Sequence, residues 1–507
     1  MTDSSMTNDA ERRARRFRWG TGALVVVLTL AIRPESFWTD ELSSAFLASQ
    51  SNWQGMISRL GEMGSEAQMP LHVTWLWLWA RIFGTGEWML RASNVPWAIL
   101  AAVAWWGLLR QKIFRQWTLW LLISPFVCYY MNEARPYMMT FATSMLSLLA
   151  VEMLCAASAE SRSSQASVAL LIGVGLCAGT SMLNLGLIPG LLAYAWMRSP
   201  GGFVSGIPAW VRSHKGLLGG LVLILSCATW YYFLTLIHGH GGQREPFTWV
   251  NGAYAIYEML GFGGLGAPRI LLRELSATDV LSQYGALLVA GLAVWGWVLG
   301  VVLRRYRDVT GDPTVRAAIA GLAVGGICLA GAAVCFKVSL WGRHFMAVLP
   351  FLFLGLASSL ESARKGSPLL ARIAICGLIG MFAVSAIRQR VLDEYRKDPI
   401  REAVTELEAL SGRDVPAVAL TCPLALWRYG GDSIRAITLI TGWAKSDAVQ
   451  WQKEHHEYIL LVHRPDKFDP EGVWTGSLEG SDTKQIWRQG NIRIYRIHGQ
   501  PRMDGGL

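Results

Sequence analysis

Apolar residues dominate this chain in long runs, and polar residues gather in the short gaps between them. The first run, Trp19 to Ile32, follows a polar stretch, residues 1–18, that carries Arg12, Arg13, Arg15, Arg16 and Arg18. No small-residue cleavage site comes after it, so it reads as an uncleaved first span with a cytoplasmic basic N-terminus. It is short for a bilayer, and anchoring by Trp19, Phe37 and Trp38 with snorkelling of Arg18 would extend it. Next, Trp53, Met56, Ile57 and Leu60 recur at helical spacing. That predicts one amphipathic helix over 40–62 lying in the interface, with Thr39 as its N-cap and Asp40 and Glu41 in its first turn.

The 13 residues from Leu71 to Phe83 are too few for an ordinary span, and Trp75, Trp77 and Trp79 suit an interface. If this segment does not cross, 89–109 runs inward and 117–131 outward. Spans near 137–157, 166–182, 185–197, 216–237, 284–303, 315–334, 343–359 and 368–387 then follow. The inner loops hold Arg110, Lys112 and Arg115, then Arg162, then Arg198, Arg212 and Lys215, then Arg304, Arg305 and Arg307, then Arg364 and Lys365. Positive charge therefore falls inside at every turn, over about eleven spans.

From about Val391 the pattern becomes that of a soluble protein. Helical periodicity covers 399–410, and 415–421, 458–462 and 492–497 alternate or run apolar like strands. The expected fold is mainly α, a polytopic transmembrane helical bundle over residues 19–390. Its first outer loop, 34–70, holds interfacial helices, and a long outer loop covers 238–283. A small α/β extracytoplasmic domain of about 115 residues, 391–507, completes it, near the low end for independent folding.

Composition supports a multi-pass protein of the inner or plasma membrane: 52% of the 507 residues are hydrophobic, 16% are charged, and 24 are Trp. The net charge of +10 sits mostly in the short gaps, where membrane topology accounts for it, so no nucleic-acid partner is expected. Seven of the eight cysteines lie in or beside apolar runs and Cys422 stands apart, with no CxxC pair and no disulfide framework.

Four groups could carry chemistry. Asp40 with Glu41 follows the first span. A carboxylate facing a semi-apolar pocket can take a proton from an attacking group, and acids in a first helical turn equally complement the helix dipole. Glu133 and Arg135 precede the helix-breaking Pro136; they read as a phosphate-holding arginine with a second carboxylate, or as a local ion pair with snorkelling. Arg343 and His344, with Lys337 nearby, put positive charge where a lipid phosphate would stop, or anchor the interface. His238-Gly239-His240-Gly241-Gly242 is too sparse for a metal site and precedes no strand-helix phosphate motif.

The order of these groups resembles the GT-C membrane glycosyltransferases that use polyprenyl-phosphate sugars, the protein O-mannosyltransferase and lipid A aminoarabinose transferase superfamily. Asp40-Glu41 follows the first span. Gln68-Met69-Pro70-Leu71-His72 is similar to the family's His-Pro-Pro-Leu stretch, with Gln68-Met69 in place of His-Pro. Residues from Ile82-Phe83-Gly84 through Glu87 to Arg91 resemble its Leu-Phe-Gly-x-x-Glu-x-x-x-Arg. Glu133-Ala134-Arg135-Pro136-Tyr137 resembles its Glu-Ala-Arg-x-Tyr, and Trp341-Gly342-Arg343-His344-Phe345 a late Arg-Tyr motif, with His344 in place of Tyr.

This resemblance implies an inverting transfer, at the extracytoplasmic face, from a polyprenyl-phosphate-linked sugar to a protein, lipid or glycan acceptor. Asp40 would be the general base and Glu41 would orient the acceptor or assist. Arg135 and Arg343, with Lys337 and His344, would hold the donor phosphate, and Glu133, Tyr137, Gln68 and His72 would line the pocket. No metal or other cofactor is required, since guanidinium groups can take the leaving charge, though a divalent cation could serve. The other reading is a carrier of lipid-linked sugars. Carriers need charges or broken helices at the bilayer midplane and often two related halves, neither of which the chain displays.

Overall fold

The computed structural model describes residues 19–109, 118–156, 160–198, 214–238, 248–268, 271–336, 340–410, 415–431, 437–439, 445–464, 469, 472, 474–475 and 482–498. The basic flank Arg12–Arg18, the inner-loop residues Arg110, Lys112, Arg115 and Arg212, and His240 and Lys337 lie outside them. The chain divides into two compact units. Met1–Arg33 with Ser51–Tyr395 forms the first; Pro34–Gln50 with Arg396–Leu507 forms the second.

The first unit is helical. Among the described residues, six helices are long and apolar enough to cross a membrane: Tyr137–Ala156, Ser163–Thr180, Lys215–Ile237, Ala277–Arg304, Pro313–Cys335 and Pro368–Val391. Each coincides with a run read from the pattern alone, because a membrane helix closes its backbone hydrogen bonds within its own segment. Their surroundings differ. Tyr137–Ala156 is 67% buried within the protein, whereas Lys215–Ile237 is 11% and Ala277–Arg304 17% buried, which leaves apolar side chains such as Val222, Trp230 and Val289 facing outward. A surface that apolar is stable only against lipid.

The expected spans 89–109 and 117–131 are broken. The 89–109 segment forms Glu87–Ala92 and Val95–Leu108, the latter with Pro96 in its first turn, and 117–131 forms a 3₁₀ turn, Leu119–Ile123, then Pro125–Met131. Proline accounts for both breaks: it bars the preceding residue from continuing a helix and is tolerated in the next first turn. Other segments, Trp19–Leu30, Pro70–Phe83, Leu187–Arg198 and Leu349–Arg364, are helical but shorter. The core of the unit is aromatic at its centre, where Trp105 and Phe141 both meet Phe353 edge-on. Leu187–Arg198 packs closely on Pro313–Phe336 because Gly190 and Gly321 face each other; a Cβ on Gly190 would come within 2.8 Å of the Gly321 carbonyl.

The expected single helix over 40–62 is two helices, Thr39–Ala48 and Trp53–Glu62, and they fall in different units. Ser49-Gln50-Ser51-Asn52 interrupts the apolar period, and Asn52 Oδ1 caps the second helix by accepting the Gly55 N–H at 2.7 Å. Trp38, rather than Thr39, occupies the N-cap of the first, while Asp40 and Glu41 do lie in its first turn.

In the second unit, β1 (Ala417–Leu420), β2 (Ile437–Leu439), β3 (Glu457–Val462), β4 (Asp482–Gln489) and β5 (Ile492–His498) form one mixed sheet in the order β2-β1-β3-β5-β4. β1 runs parallel to β2 and β3, while β5 runs antiparallel to β3 and β4. Val418, Leu420, Tyr458, Leu460, Val462, Trp474 and Ile497 make its core, and the Ile400–Leu410 helix buries Ile400, Val404 and Leu407.

Candidate functional site

In the first unit, candidate residues collect around the turn between Pro125–Met131 and Tyr137–Ala156. Pro136 ends the turn, and every residue from Asn132 to Pro136 is buried. Buried backbone needs partners, and side chains distant in sequence supply them. Asn94 Nδ2 donates to the Met131 and Glu133 carbonyls at 3.2 and 2.6 Å, and Asn132 Oδ1 accepts the Arg33 N–H at 2.8 Å. The Arg33 carbonyl in turn accepts from Arg91 Nη1 at 2.8 Å, which gives the fully buried Arg91 of the Gly-x-x-Glu-x-x-x-Arg stretch a physical role: it closes the end of the first apolar segment.

Arg135 does not snorkel and is not confined to a local pair with Glu133. Its side chain is 5% exposed, and its guanidinium makes a short ion pair with Glu66, itself 1% exposed. Water is out of reach there, so a charge from another element compensates the guanidinium. Arg135 Nη2 also meets the Met69 sulfur at 3.7 Å, a weak acceptor. His72, buried in the first turn of Pro70–Phe83, completes this group. That helix has 14 residues and is not among the six long apolar ones. Burial first, and the Arg135 charge second, push the His72 pKa down to about 3 against a backbone hydrogen bond at Ala134, so the ring is neutral. Its Nε2 has no hydrogen-bond partner among the described residues.

The other side of the turn is built on tyrosines. Tyr137 lies edge-on to Tyr130 at 4.9 Å, and Tyr130 lies in the electrostatic reach of Glu258, Glu133, Tyr129 and Arg343. Glu258 comes from the Trp249–Met259 helix of the long loop, and its carboxylate rests on Gly342, where a Cβ would sit 2.1 Å from Oε2. A side chain at Gly342 would push that flexible carboxylate aside, next to Arg343 in the chain. His344 turns Nδ1 back on the Trp341 N–H at 2.9 Å, closing the 3₁₀ turn Gly342–Ala347. Gln68 is half-buried and ends the 3₁₀ turn Glu66–Gln68.

The second unit holds the acidic pair, and its two members differ. Glu41 is fully buried; its Oε2 accepts from Lys397 Nζ at 2.9 Å and from the Trp38 N–H at 3.4 Å. Asp40 is half-buried in the same turn, at the positive end of the helix dipole.

Glu66, Glu258 and Lys397 were not among the residues singled out by sequence. Glu258 lies within the apolar 254–262 stretch of the long loop and Lys397 just inside the C-terminal region, so their positions were visible and their partners were not. Among the described residues, no three His, Cys, Asp or Glu side chains are grouped as metal ligands would be.

No protein-family model matches the chain, and no curated protein does. Solved structures do. ArnT from Cupriavidus metallidurans in the apo state is similar over 94% of this chain and 97% of that one, with a TM-score of 0.53 at 12% sequence identity. The same protein bound to undecaprenyl phosphate matches with a TM-score of 0.52, the same coverage and the same identity. Across nearly its whole length, then, this membrane protein has the fold of ArnT, the GT-C fold that its motif order resembles.

Proposed function

We propose that the protein is an integral membrane glycosyltransferase that takes a sugar from a polyprenyl-phosphate donor and passes it, with inversion, to an acceptor at the extracytoplasmic face. The observation that carries the reading is a buried guanidinium, Arg135, beside a weakly held sulfur, in a fold whose solved example binds undecaprenyl phosphate. A lipid phosphate needs cationic donors that water does not already saturate, and a desolvated arginine offers them in fork geometry.

In the proposed reaction an acceptor hydroxyl or amine attacks the anomeric carbon from the face opposite the phosphate. Its proton passes to Asp40 as the new bond forms. The bond from the anomeric carbon to phosphate oxygen breaks, and the oxygen keeps the electron pair. Arg135 and Arg343 stabilise that oxygen's growing charge, and Glu133 helps shape the pocket. Glu41, already bound to Lys397, acts on Asp40 rather than on the acceptor. The basic N-terminus is assigned to the cytoplasm and the second unit to the opposite side.

Transfer of labelled sugar from a panel of polyprenyl-phosphate donors into envelope fractions tests this, comparing wild type with Asp40→Asn at equal abundance. Loss of about a hundredfold or more in the variant is the expected result for removal of a general base. Equal transfer by both would remove Asp40 from the mechanism. No transfer by wild type, with lipid-linked sugars still changing sides, would make the protein a carrier. Repeating the assay with EDTA decides whether a divalent cation takes part.

A further inference from the structure

The second unit fastens the proposed base from behind. Lys397 Nζ reaches Glu41 Oε2 at 2.9 Å with both side chains buried, 5% and 0% exposed. The neighbours of Lys397 bind the same short segment. Ser36 Oγ donates to the Asp398 carbonyl at 2.8 Å and accepts the Ile400 N–H at 3.1 Å. The Phe37 N–H donates to Tyr429 Oη at 2.6 Å, and the Arg428 guanidinium lies over the Phe37 ring, 5.6 Å from its centre. Asp398 is held in turn: its carboxylate accepts from Asn491 Nδ2 at 3.1 Å, in the β4–β5 turn, and pairs with His463 Nε2 at 3.2 Å, just past the end of β3, so the ends of the sheet strands set where the segment can lie. Further along the helix, Phe46 packs edge-on against Trp427 at 4.9 Å.

Most of these contacts would hold a helix wherever it stood. The Lys397–Glu41 contact differs in two ways. It acts inside the first turn, one residue from Asp40, and it is charged. A buried carboxylate with no cation would repel Asp40 and lose the geometry in which its Oε2 also accepts the Trp38 N–H. We infer that Lys397 is a positioning residue for Asp40: acting through Glu41, it fixes the first turn of the Thr39–Ala48 helix and cancels the charge beside the base. The inference deepens the transferase reading and rests on it for its catalytic consequence. It also gives the C-terminal region a task, the support of the proposed catalytic turn from Lys397, Asp398 and Tyr429.

Two readouts test it on the full-length protein in lipid nanodiscs. Hydrogen exchange over residues 38–44 reports the turn without any need for activity, and Lys397→Met is expected to speed it by about tenfold or more while exchange in the apolar helices stays unchanged. In the transfer assay the same variant is expected to lower kcat about tenfold or more with donor KM within about twofold, since it moves the base and not the phosphate site. Lys397→Arg, which keeps a cation there, is expected to recover both. If Lys397→Met does not accumulate, Glu41→Gln with Lys397→Met removes both charges together and with them the tether on the turn, and is expected to exchange faster than wild type over 38–44. Unchanged exchange over 38–44 in a folded variant overturns the inference, as does loss of activity that appears only in KM. If wild type transfers no sugar, the transferase reading falls, and the exchange data still decide whether Lys397 holds the turn.

Discussion

Replacing Glu66 and Arg135, singly and together, measures what holds the candidate phosphate group in place. The two side chains are 1% and 5% exposed, so neither charge can be rehydrated without opening the structure. Glu66→Leu takes the Glu66 ion pair from a buried guanidinium, and Arg135→Met takes the Arg135 ion pair from a buried carboxylate. Each is expected to cost about 3–5 kcal/mol. Glu66→Leu with Arg135→Met removes both charges and fills the space with apolar atoms, so it is expected to be more stable than either single variant and within about 2 kcal/mol of wild type. The four proteins thus form a cycle with a coupling of about 3 kcal/mol or more. Thermal unfolding in one detergent, followed by intrinsic tryptophan fluorescence, supplies the comparison. A second measurement separates stability from function. If Arg135 receives the lipid phosphate, the double variant is folded but fails to bind labelled undecaprenyl phosphate. Single variants within about 1 kcal/mol of wild type, or costs that simply add, would refute the idea that the pair is desolvated and mutually dependent.

His72 and Gly342 give two further tests. Because burial pushes the His72 pKa down to about 3 in the folded protein, the unfolded chain binds a proton there first as pH falls below the ordinary 6.5, and stability is lost through that window down to about 3. Between pH 7 and 5 wild type is expected to lose about 2 kcal/mol more than His72→Gln, and equal pH slopes would show that the ring is not held neutral. Gly342→Ala places a methyl group 2.1 Å from Glu258 Oε2. The obstacle is the end of a flexible side chain, so the melting temperature should barely move while donor KM rises about fivefold or more, and Glu258→Ala in the same protein should recover it. No change in KM would separate Glu258 from the phosphate group.

Some of this architecture depends on local sequence and some does not. The six long helices were legible because in a bilayer each segment must satisfy its own backbone and face lipid with its own side chains, so length and apolarity suffice. Central strands β1 and β3 were legible because burial keeps them apolar, and β5 because buried and exposed residues alternate along it. The edge strands β2 and β4 escaped notice: one is three residues long, and the other, Asp-Thr-Lys-Gln-Ile-Trp-Arg-Gln, is largely polar. Positions of the candidate residues were equally visible, from Asp40 and Glu41 in a first turn to Arg135 before Pro136, since turns and caps are set by neighbours in the chain. Their partners were not. Arg135 meets Glu66, 69 positions distant, and Glu41 meets Lys397, 356 positions distant. A buried charge selects whichever opposite charge packing brings within about 3 Å, and sequence proximity has no part in that choice. Sequence alone therefore located the acidic pair and the long apolar helices; tertiary structure alone brought Lys397 to Glu41 and Glu66 to Arg135, because packing rather than chain neighbours sets which charges meet.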